Sequence, residues 1–139
     1  MVSSDIVVAP ASGKSDLTAF IDLPKRLAED AVAAYAAQLP DAPLVAVGGH
    51  SYGGRVASLL AARLPMASLV LFSYPLHRPG GPEIGPRVGH WPAIRCPVLL
   101  LSGESDPFAR IDLLREAVPM LPDAVLVTYP RLGHGLGPV

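Results

Sequence analysis

The distribution of apolar residues along the chain predicts a series of short strands separated by helices. Five short apolar runs are bounded by proline, glycine or polar residues, which is the pattern of strands buried in a sheet. Most of these runs are apolar at nearly every position rather than at alternate positions, which favours a parallel sheet covered on both faces. The predicted strands are residues 5–9, 44–47, 68–73, 97–101 and 124–128.

Three segments between these strands have the apolar periodicity of helices. In the first of them, Leu27, Ala31, Tyr35 and Leu39 recur at every fourth position and form one stripe along a helix. Strands that alternate with helices predict an α/β fold, here a mostly parallel sheet of about four or five strands with helices on both faces. In such sheets, ligands bind where the strands end. The predicted helices are residues 22–39, 52–64 and 112–120.

A serine lies where the second predicted strand is followed by a helix. The sequence there is Gly49-His50-Ser51-Tyr52-Gly53, a G-x-S-x-G turn. Glycines let the strand and the helix approach closely while the turn holds the serine in a strained conformation. The helix N-terminus favours negative charge, and the N–H of Tyr52 would donate to an oxyanion. The turn therefore predicts a nucleophilic Ser51, and a glycine-rich turn with an uninvolved serine is the alternative.

Two further candidates follow later strands. Asp106 comes after the fourth predicted strand and His134 after the fifth. A serine nucleophile needs a base that takes its proton, and the base needs a carboxylate that orients it. The order serine, aspartate, histidine, with each residue on a loop after a separate strand, is that of α/β-hydrolases. Ser51, Asp106 and His134 are therefore the predicted catalytic residues, with Glu104 as an alternative acid.

Three more residues are candidates for lining a substrate pocket. His50 precedes Ser51 on a tight turn, where adjacent side chains diverge, so it is predicted to line the pocket rather than to act as the base. His77 and Trp91 lie in a stretch rich in proline and glycine, residues 75–92, and are predicted to line a substrate entrance. A solvent-facing loop histidine is the alternative interpretation of His77, and the more common one in such stretches.

Composition excludes several other classes of protein. Half of the 139 residues are hydrophobic and 17% are charged, which excludes a disordered chain and suffices for one domain with its own core. A formal charge of −1 predicts neither nucleic acid nor an anionic membrane as a partner. No apolar stretch reaches the roughly 18 residues of a membrane span. The N-terminus also lacks the basic and apolar regions of a secretory signal, so a cytoplasmic protein is expected.

No cofactor and no metal ion are predicted. The sequence has neither a cysteine and histidine cluster at metal-binding spacing nor a glycine-rich phosphate-binding motif. Cys96 is the one cysteine, which favours a reducing compartment and a packing role beside an apolar strand. The abundance of alanine and arginine indicates a bacterial source. The expected partner is a small-molecule substrate.

Several segments resemble the α/β-hydrolase superfamily, within its dienelactone-hydrolase-like branch, and are most similar to the KANL/Tex-type hydrolase-like family. The Tyr-Pro-Leu-His sequence at 74–77, followed by Pro-Gly, is the more family-specific element. The resemblance covers residues 44–139 and implies Ser51 as nucleophile, Asp106 as acid and His134 as base, although dienelactone hydrolases carry cysteine at the nucleophile position. The segments are 48–55 (GGHSYGGR), 73–79 (SYPLHRP), 90–97 (HWPAIRCP), 102–108 (SGESDPF) and 133–135 (GHG).

The chain departs from this family near both ends. Family members carry an early His-Gly or similar glycine-rich loop that supplies a second oxyanion N–H, and residues 1–43 contain no recognisable counterpart. Relatives also continue into a closing helix, whereas five residues follow His134. Loss of one oxyanion donor lowers turnover by about 100–1,000-fold. The expectation is one shortened hydrolase domain over 1–139, matching weakly in 1–43, whose uncovered sheet edges favour a homo-oligomer.

The sequence thus predicts a serine hydrolase that acts on a small ester or a related acyl substrate. Ser51 would attack, His134 would transfer the proton, Asp106 would orient the histidine, and the N–H of Tyr52 would stabilise the oxyanion. A non-catalytic interaction module is the alternative from another class, because the early oxyanion loop is missing. An inactive fragment is the third. The reactivity of Ser51 distinguishes the first prediction from the other two.

Overall fold

The computed structural model describes residues 6–10 and 45–137 of the chain. Within these residues, the strands form one sheet in the order β1-β2-β3-β4-β5. β1 pairs antiparallel with β2, and the following pairs through β5 are all parallel. The strands are β1 (Ile6–Pro10), β2 (Val45–His50), β3 (Ser68–Phe72), β4 (Val98–Gly103) and β5 (Ala124–Tyr129).

Each parallel pair of strands is joined by a crossover that contains a helix. Parallel neighbours need such a connection, because a tight hairpin can join only antiparallel strands. The helices are α1 (Tyr52–Arg63), α2 (Gly85–Val88) and α3 (Ile111–Ala117), and short 3₁₀ turns cover Trp91–Ala93 and Val118–Met120. The carboxyl ends of β2, β3, β4 and β5 therefore meet at one edge of the sheet, which is the edge predicted to carry the site.

The core of the described residues lies between one face of the sheet and the helices. The strand residues on this face alternate along the chain and pair across the sheet, as Val47 does with Leu69 and Leu69 with Val98. Leu60 of α1 and Leu114 of α3 are buried in the same cluster. Burying a leucine side chain contributes roughly 1.5–3 kcal/mol, so this single cluster accounts for much of the stability of the sheet and its helices.

The opposite face of the sheet is more exposed. Phe72 on β3 is 37% exposed and Val125 on β5 is 60% exposed. The predicted helix over residues 22–39 lies outside the described residues, so a helical layer contributed by that segment stays a prediction. The predicted α/β class and the mostly parallel sheet are confirmed.

The predicted elements in the described part of the chain are confirmed, with shifted ends. β2 ends three residues later than predicted, because Gly48, Gly49 and His50 pair with β3. α3 ends three residues earlier than predicted, and a 3₁₀ turn covers the remaining residues. The proline and glycine content of the stretch 75–92 is typical of a loop, but the stretch contains α2 and the start of the first 3₁₀ turn. Proline lies near the start of each, where its fixed φ suits a helix and its missing N–H is not needed.

Candidate active site

Ser51 lies at the sharp turn between β2 and α1. Its backbone has φ 54° and ψ −121°, a left-handed conformation that side chains rarely adopt. A β-carbon on Gly49 would lie 2.3 Å from the carbonyl carbon of Gly53, so only glycine allows the strand and the helix to approach this closely. The N–H of Ser51 donates to the carbonyl oxygen of Phe72 at 2.9 Å. The turn is thus held by β3 as well as by its own helix.

The hydroxyl of Ser51 is hydrogen-bonded to an imidazole. Ser51 Oγ lies 2.7 Å from Nε2 of His134, and Nδ1 of the same ring lies 2.8 Å from Oδ2 of Asp106. With the ring hydrogen on Nδ1, the imidazole donates to the carboxylate and accepts the hydrogen of the serine. A hydrogen-bonded chain therefore runs from the hydroxyl through the ring to the carboxylate.

The carboxylate of Asp106 is buried and held at both of its oxygens. Its side chain has no exposed surface. While Oδ2 contacts His134, Oδ1 accepts the N–H of Phe108 at 2.8 Å. The backbone N–H of Asp106 donates to the carbonyl oxygen of Gly103 at 3.2 Å, which fixes the turn after β4. These contacts fix the orientation of the carboxylate, so that Oδ2 faces the imidazole.

Phe108 is a site residue that the sequence analysis did not single out. In addition to its N–H contact with Asp106, its ring centroid lies 4.5 Å from that of His134. The N–H contact could have been predicted, because an aspartate at a turn commonly accepts the N–H two residues further along. The ring contact could not, since it depends on the approach of the loop that follows β5.

Glu104, the alternative acid, has a different partner. Its Oε2 accepts the hydroxyl of Thr128 at 2.9 Å. The hydrogen bond to the imidazole of His134 belongs to Asp106. Of the two candidate acids, Asp106 is therefore the one placed to orient His134, and its catalytic role stays a prediction.

His50 lies at the end of β2 and contacts the histidine loop. Its Nε2 is 3.1 Å from the carbonyl oxygen of His134, and the two ring centroids are 5.6 Å apart. With hydrogen on Nε2, His50 donates to this carbonyl and helps to hold the loop in position. A contact of His50 with substrate stays a prediction.

The structure contradicts the prediction that His77 and Trp91 line a substrate entrance. His77 is 1% exposed and Trp91 is fully buried, so neither side chain has surface to offer a substrate. Nδ1 of His77 lies 2.7 Å from the carbonyl oxygen of Arg78, and its Nε2 accepts the N–H of Arg110 at 2.9 Å. Trp91 packs edge to face against Tyr74, with ring centroids 5.1 Å apart. Both residues hold the loop after β3 against the core, so a solvent-facing His77 is excluded as well.

Tyr52, the predicted oxyanion donor, is the first residue of α1 and directly follows Ser51. The aligned peptide dipoles give a helix N-terminus a partial positive charge, which favours an anion at this place. Among residues 6–10 and 45–137, no group of three histidine, cysteine, aspartate or glutamate side chains could hold a metal ion. No helix in this part of the chain is long and apolar enough to cross a membrane.

Comparison with known proteins identifies the family. The alpha/beta hydrolase domain family matches residues 22–138. No curated protein matches the chain. Among solved structures, a CIB-like hydrolase from Thermoplasma acidophilum is similar, with a TM-score of 0.64 and 18% identity over 80% of this chain and 51% of that one.

Two other solved structures are also similar to this chain. Dienelactone hydrolase from Anabaena variabilis has a TM-score of 0.51 and 26% identity over 64% of this chain and 38% of that one. Est1E from Butyrivibrio proteoclasticus, solved with ferulic acid bound, has a TM-score of 0.61 and 21% identity over 76% of this chain and 57% of that one. The chain thus spans between 38% and 57% of the length of these three proteins. Its sheet, its helices and the match over residues 22–138 together mean that it belongs to the alpha/beta hydrolase domain family.

Proposed function

We propose that the chain is a serine hydrolase that cleaves a small ester or a related acyl substrate. The observation that carries the proposal is the hydrogen-bonded chain from Ser51 Oγ through His134 to Asp106. A serine hydroxyl is a weak nucleophile until a neighbouring base takes its proton, and a carboxylate behind the base keeps the ring in the productive tautomer. Membership of a hydrolase family supports the same reaction class.

In this mechanism, Ser51 Oγ attacks the acyl carbon while its proton passes to Nε2 of His134. The buried carboxylate of Asp106 stabilises the imidazolium that forms. The oxyanion accepts the N–H of Tyr52 at the N-terminus of α1. His134 then gives its proton to the departing alkoxide, which leaves as an alcohol, and water activated by the same ring hydrolyses the acyl-enzyme.

The sequence favours one group within the family. The similarity of residues 74–77 to the KANL/Tex-type family supports membership of that group. In this chain the motif has a packing role, because His77 links the loop after β3 to the start of α3 through the N–H of Arg110. A cytoplasmic location and self-association stay predictions from the sequence.

Hydrolysis of 4-nitrophenyl esters of increasing acyl length tests the proposal. We expect turnover of short esters by the wild-type protein and none above the uncatalysed rate for Ser51→Ala. Ser105→Ala is the matched control, because Ser105 is exposed on the loop that carries Asp106. Equal rates for wild type and Ser51→Ala would contradict the proposal and favour a non-catalytic interaction module.

A further inference from the structure

A cavity lies beside α1, apart from the serine site. Its volume is about 540 Å³, within the range of small-molecule sites. Neither Ser51 nor Asp106 nor His134 is among its lining residues. We call it the arginine cavity, and the described residues that line it are Arg55, Arg78, Gly81, Glu83, Pro86 and Arg87.

The lining of the arginine cavity is strongly cationic. Three arginines and one glutamate give the lining a formal charge of +3 − 1 = +2, although the whole chain has a charge of −1. The arginines are close enough to affect one another, since the pKa of Arg87 is lowered first by burial and then by the charges of Arg55 and Arg78. Such like charges repel, and an anion among them would remove the repulsion.

One of the arginines has a buried donor with no acceptor. Nε of Arg55 is buried and has no hydrogen-bond partner among the described residues. A buried donor without an acceptor is costly, so its presence at a cavity wall needs an explanation. An oxyanion in the cavity would provide the acceptor once the Arg55 side chain rotates slightly, because the buried Nε has no surface open to the cavity. Guanidinium groups suit this purpose because their planar donors match the oxygens of carboxylate and phosphate groups.

A buried hydrogen-bond network holds the backbone of two of these arginines. The hydroxyl of Ser58 donates to the carbonyl oxygen of Arg55 at 2.7 Å. The hydroxyl of Tyr74 donates to the carbonyl oxygen of Arg87. Nε2 of His90 lies 2.7 Å from Ser58 Oγ. Ser58 and Tyr74 are themselves buried.

The side chain of Arg87 is also held in place, because its Nη1 donates to the carbonyl oxygen of Pro75 at 3.0 Å. With their backbones held, Arg55 and Arg87 cannot move far apart, although their charges repel. A set of donors held in this way before binding is what distinguishes a built site from a chance cluster of surface charges.

We propose that the arginine cavity binds a small oxyanion, a phosphate or carboxylate group, between Arg55, Arg78 and Arg87. The cationic lining, the unpartnered Nε of Arg55 and the fixed backbones each support this assignment. The proposal does not depend on hydrolysis, because the serine, histidine and aspartate of the proposed mechanism lie outside the cavity. It therefore fails or holds independently of the proposed function.

Calorimetric titration of the full chain with inorganic phosphate, and separately with malonate, tests the proposal. Chloride at the same ionic strength is the reference, since exposed charges are screened by any salt. We expect saturable binding of at least one of the two anions. Tighter binding of phosphate would assign a phosphate group to the site, and tighter binding of malonate would assign a carboxylate.

Two substitutions with opposite expected effects separate specific binding from misfolding. Arg78→Gln at the exposed rim removes one charged donor and should weaken binding by about 10-fold. Glu83→Gln removes the one acid among the described lining residues and should tighten binding several-fold, which an unfolded variant cannot do. Arg115→Gln, on the exposed side of α3, is the control and should bind as the wild type does.

Three results would overturn the proposal. The first is the absence of saturable binding beyond that of chloride. The second is equal affinity of Arg78→Gln and Arg115→Gln. The third is unchanged or weaker binding by Glu83→Gln.

Discussion

The backbone of Leu132 packs so closely against Gly103 that a β-carbon on Gly103 would lie 2.2 Å from the Leu132 carbonyl oxygen. That same oxygen accepts the N–H of Ser105 at 3.0 Å. Gly103 ends β4 ahead of the loop with Asp106, and Leu132 lies on the loop with His134. The two loops thus meet backbone to backbone, and the 2.8 Å contact between Asp106 and His134 depends on this meeting.

Gly103→Ala should therefore weaken both folding and catalysis. The added methyl group overlaps backbone atoms that cannot move without shifting the histidine loop, and we expect a loss of about 1–3 kcal/mol in the free energy of unfolding. Urea denaturation measures this loss. Gly85→Ala is the matched control, because a β-carbon on Gly85 would have no atom within 4 Å apart from its chain neighbours and the backbone of its own helix. Equal stability of the two variants would show that the loops do not meet as described.

Asp106→Asn should abolish most of the activity while leaving the fold intact. An amide at this position cannot stabilise the imidazolium of His134, and it favours the wrong ring tautomer. In a chymotrypsin-like protease the corresponding change lowers kcat by about 10⁴-fold, and we expect a loss of similar order here. Steady-state kinetics should show the loss in kcat rather than in KM, because the interaction matters most in the transition state.

Glu104→Gln is the control for that substitution. Glu104 accepts a hydrogen bond from Thr128, so its neutralisation should leave kcat within a few-fold of the wild-type value. A large loss of kcat in Glu104→Gln, together with a nearly normal kcat in Asp106→Asn, would show that Glu104 is the acid.

Cys96 should be unreactive in the folded protein. It is 8% exposed, and burial raises the pKa of its thiol above the ordinary value of about 9. Because the thiolate is the reactive form, alkylation by iodoacetamide near neutral pH should be at least about tenfold slower than in the unfolded chain. Mass spectrometry of the native protein and of the same protein in urea measures both rates. Equal rates would mean that Cys96 is accessible in the folded state.

Ionisation of Tyr74 should lower the stability of the folded protein at alkaline pH. Burial raises the pKa of its phenol above the ordinary value of 10. As the pH rises past 10, the phenol ionises first in the unfolded chain. Its contribution to stability is therefore complete below pH 10 and declines from there toward the higher folded-state pKa.

Tyr74→Phe checks this linkage. The variant should lose about 1 kcal/mol at neutral pH, because the hydrogen bond to the Arg87 carbonyl is removed. Its free energy of unfolding should then fall less steeply above pH 10 than that of the wild type. Denaturation curves at several alkaline pH values measure both effects, and parallel pH profiles would contradict the assignment.

The sequence was sufficient to locate the proposed catalytic residues because their positions follow from the strands. A run of apolar residues reveals where a strand ends, and parallel strands bring their carboxyl ends to one edge of the sheet. Ser51, Asp106 and His134 each lie on a loop that follows such a run, and in the structure their side chains form one hydrogen-bonded chain.

His77 and Trp91 were misjudged because loop composition does not determine burial. A stretch rich in proline and glycine is typical of an exposed loop, and residues 78–80 are exposed, but residues 75–77 and Trp91 in the same stretch are buried. The burial depends on contacts with distant segments, such as that of His77 with Arg110. The close packing of Gly103 against Leu132 could not be predicted for the same reason, because Leu132 lies on another loop.

The arginine cavity could not be predicted from the sequence either. Arg55 lies on α1, Arg78 follows β3, and Arg87 lies on α2, in a chain whose overall charge is near zero. Only the folding of the loop after β3 against α1 brings the three charges to one cavity.

Labelling with a fluorophosphonate probe tests the central claim most directly, because the probe reacts with an activated serine whatever the natural substrate is. Native and heat-denatured samples of the full chain are treated with the probe, and the modified peptide is identified by mass. We predict an adduct on Ser51 in the native sample alone. A cooperatively folded protein that leaves Ser51 unlabelled would contradict the account and favour the non-catalytic module.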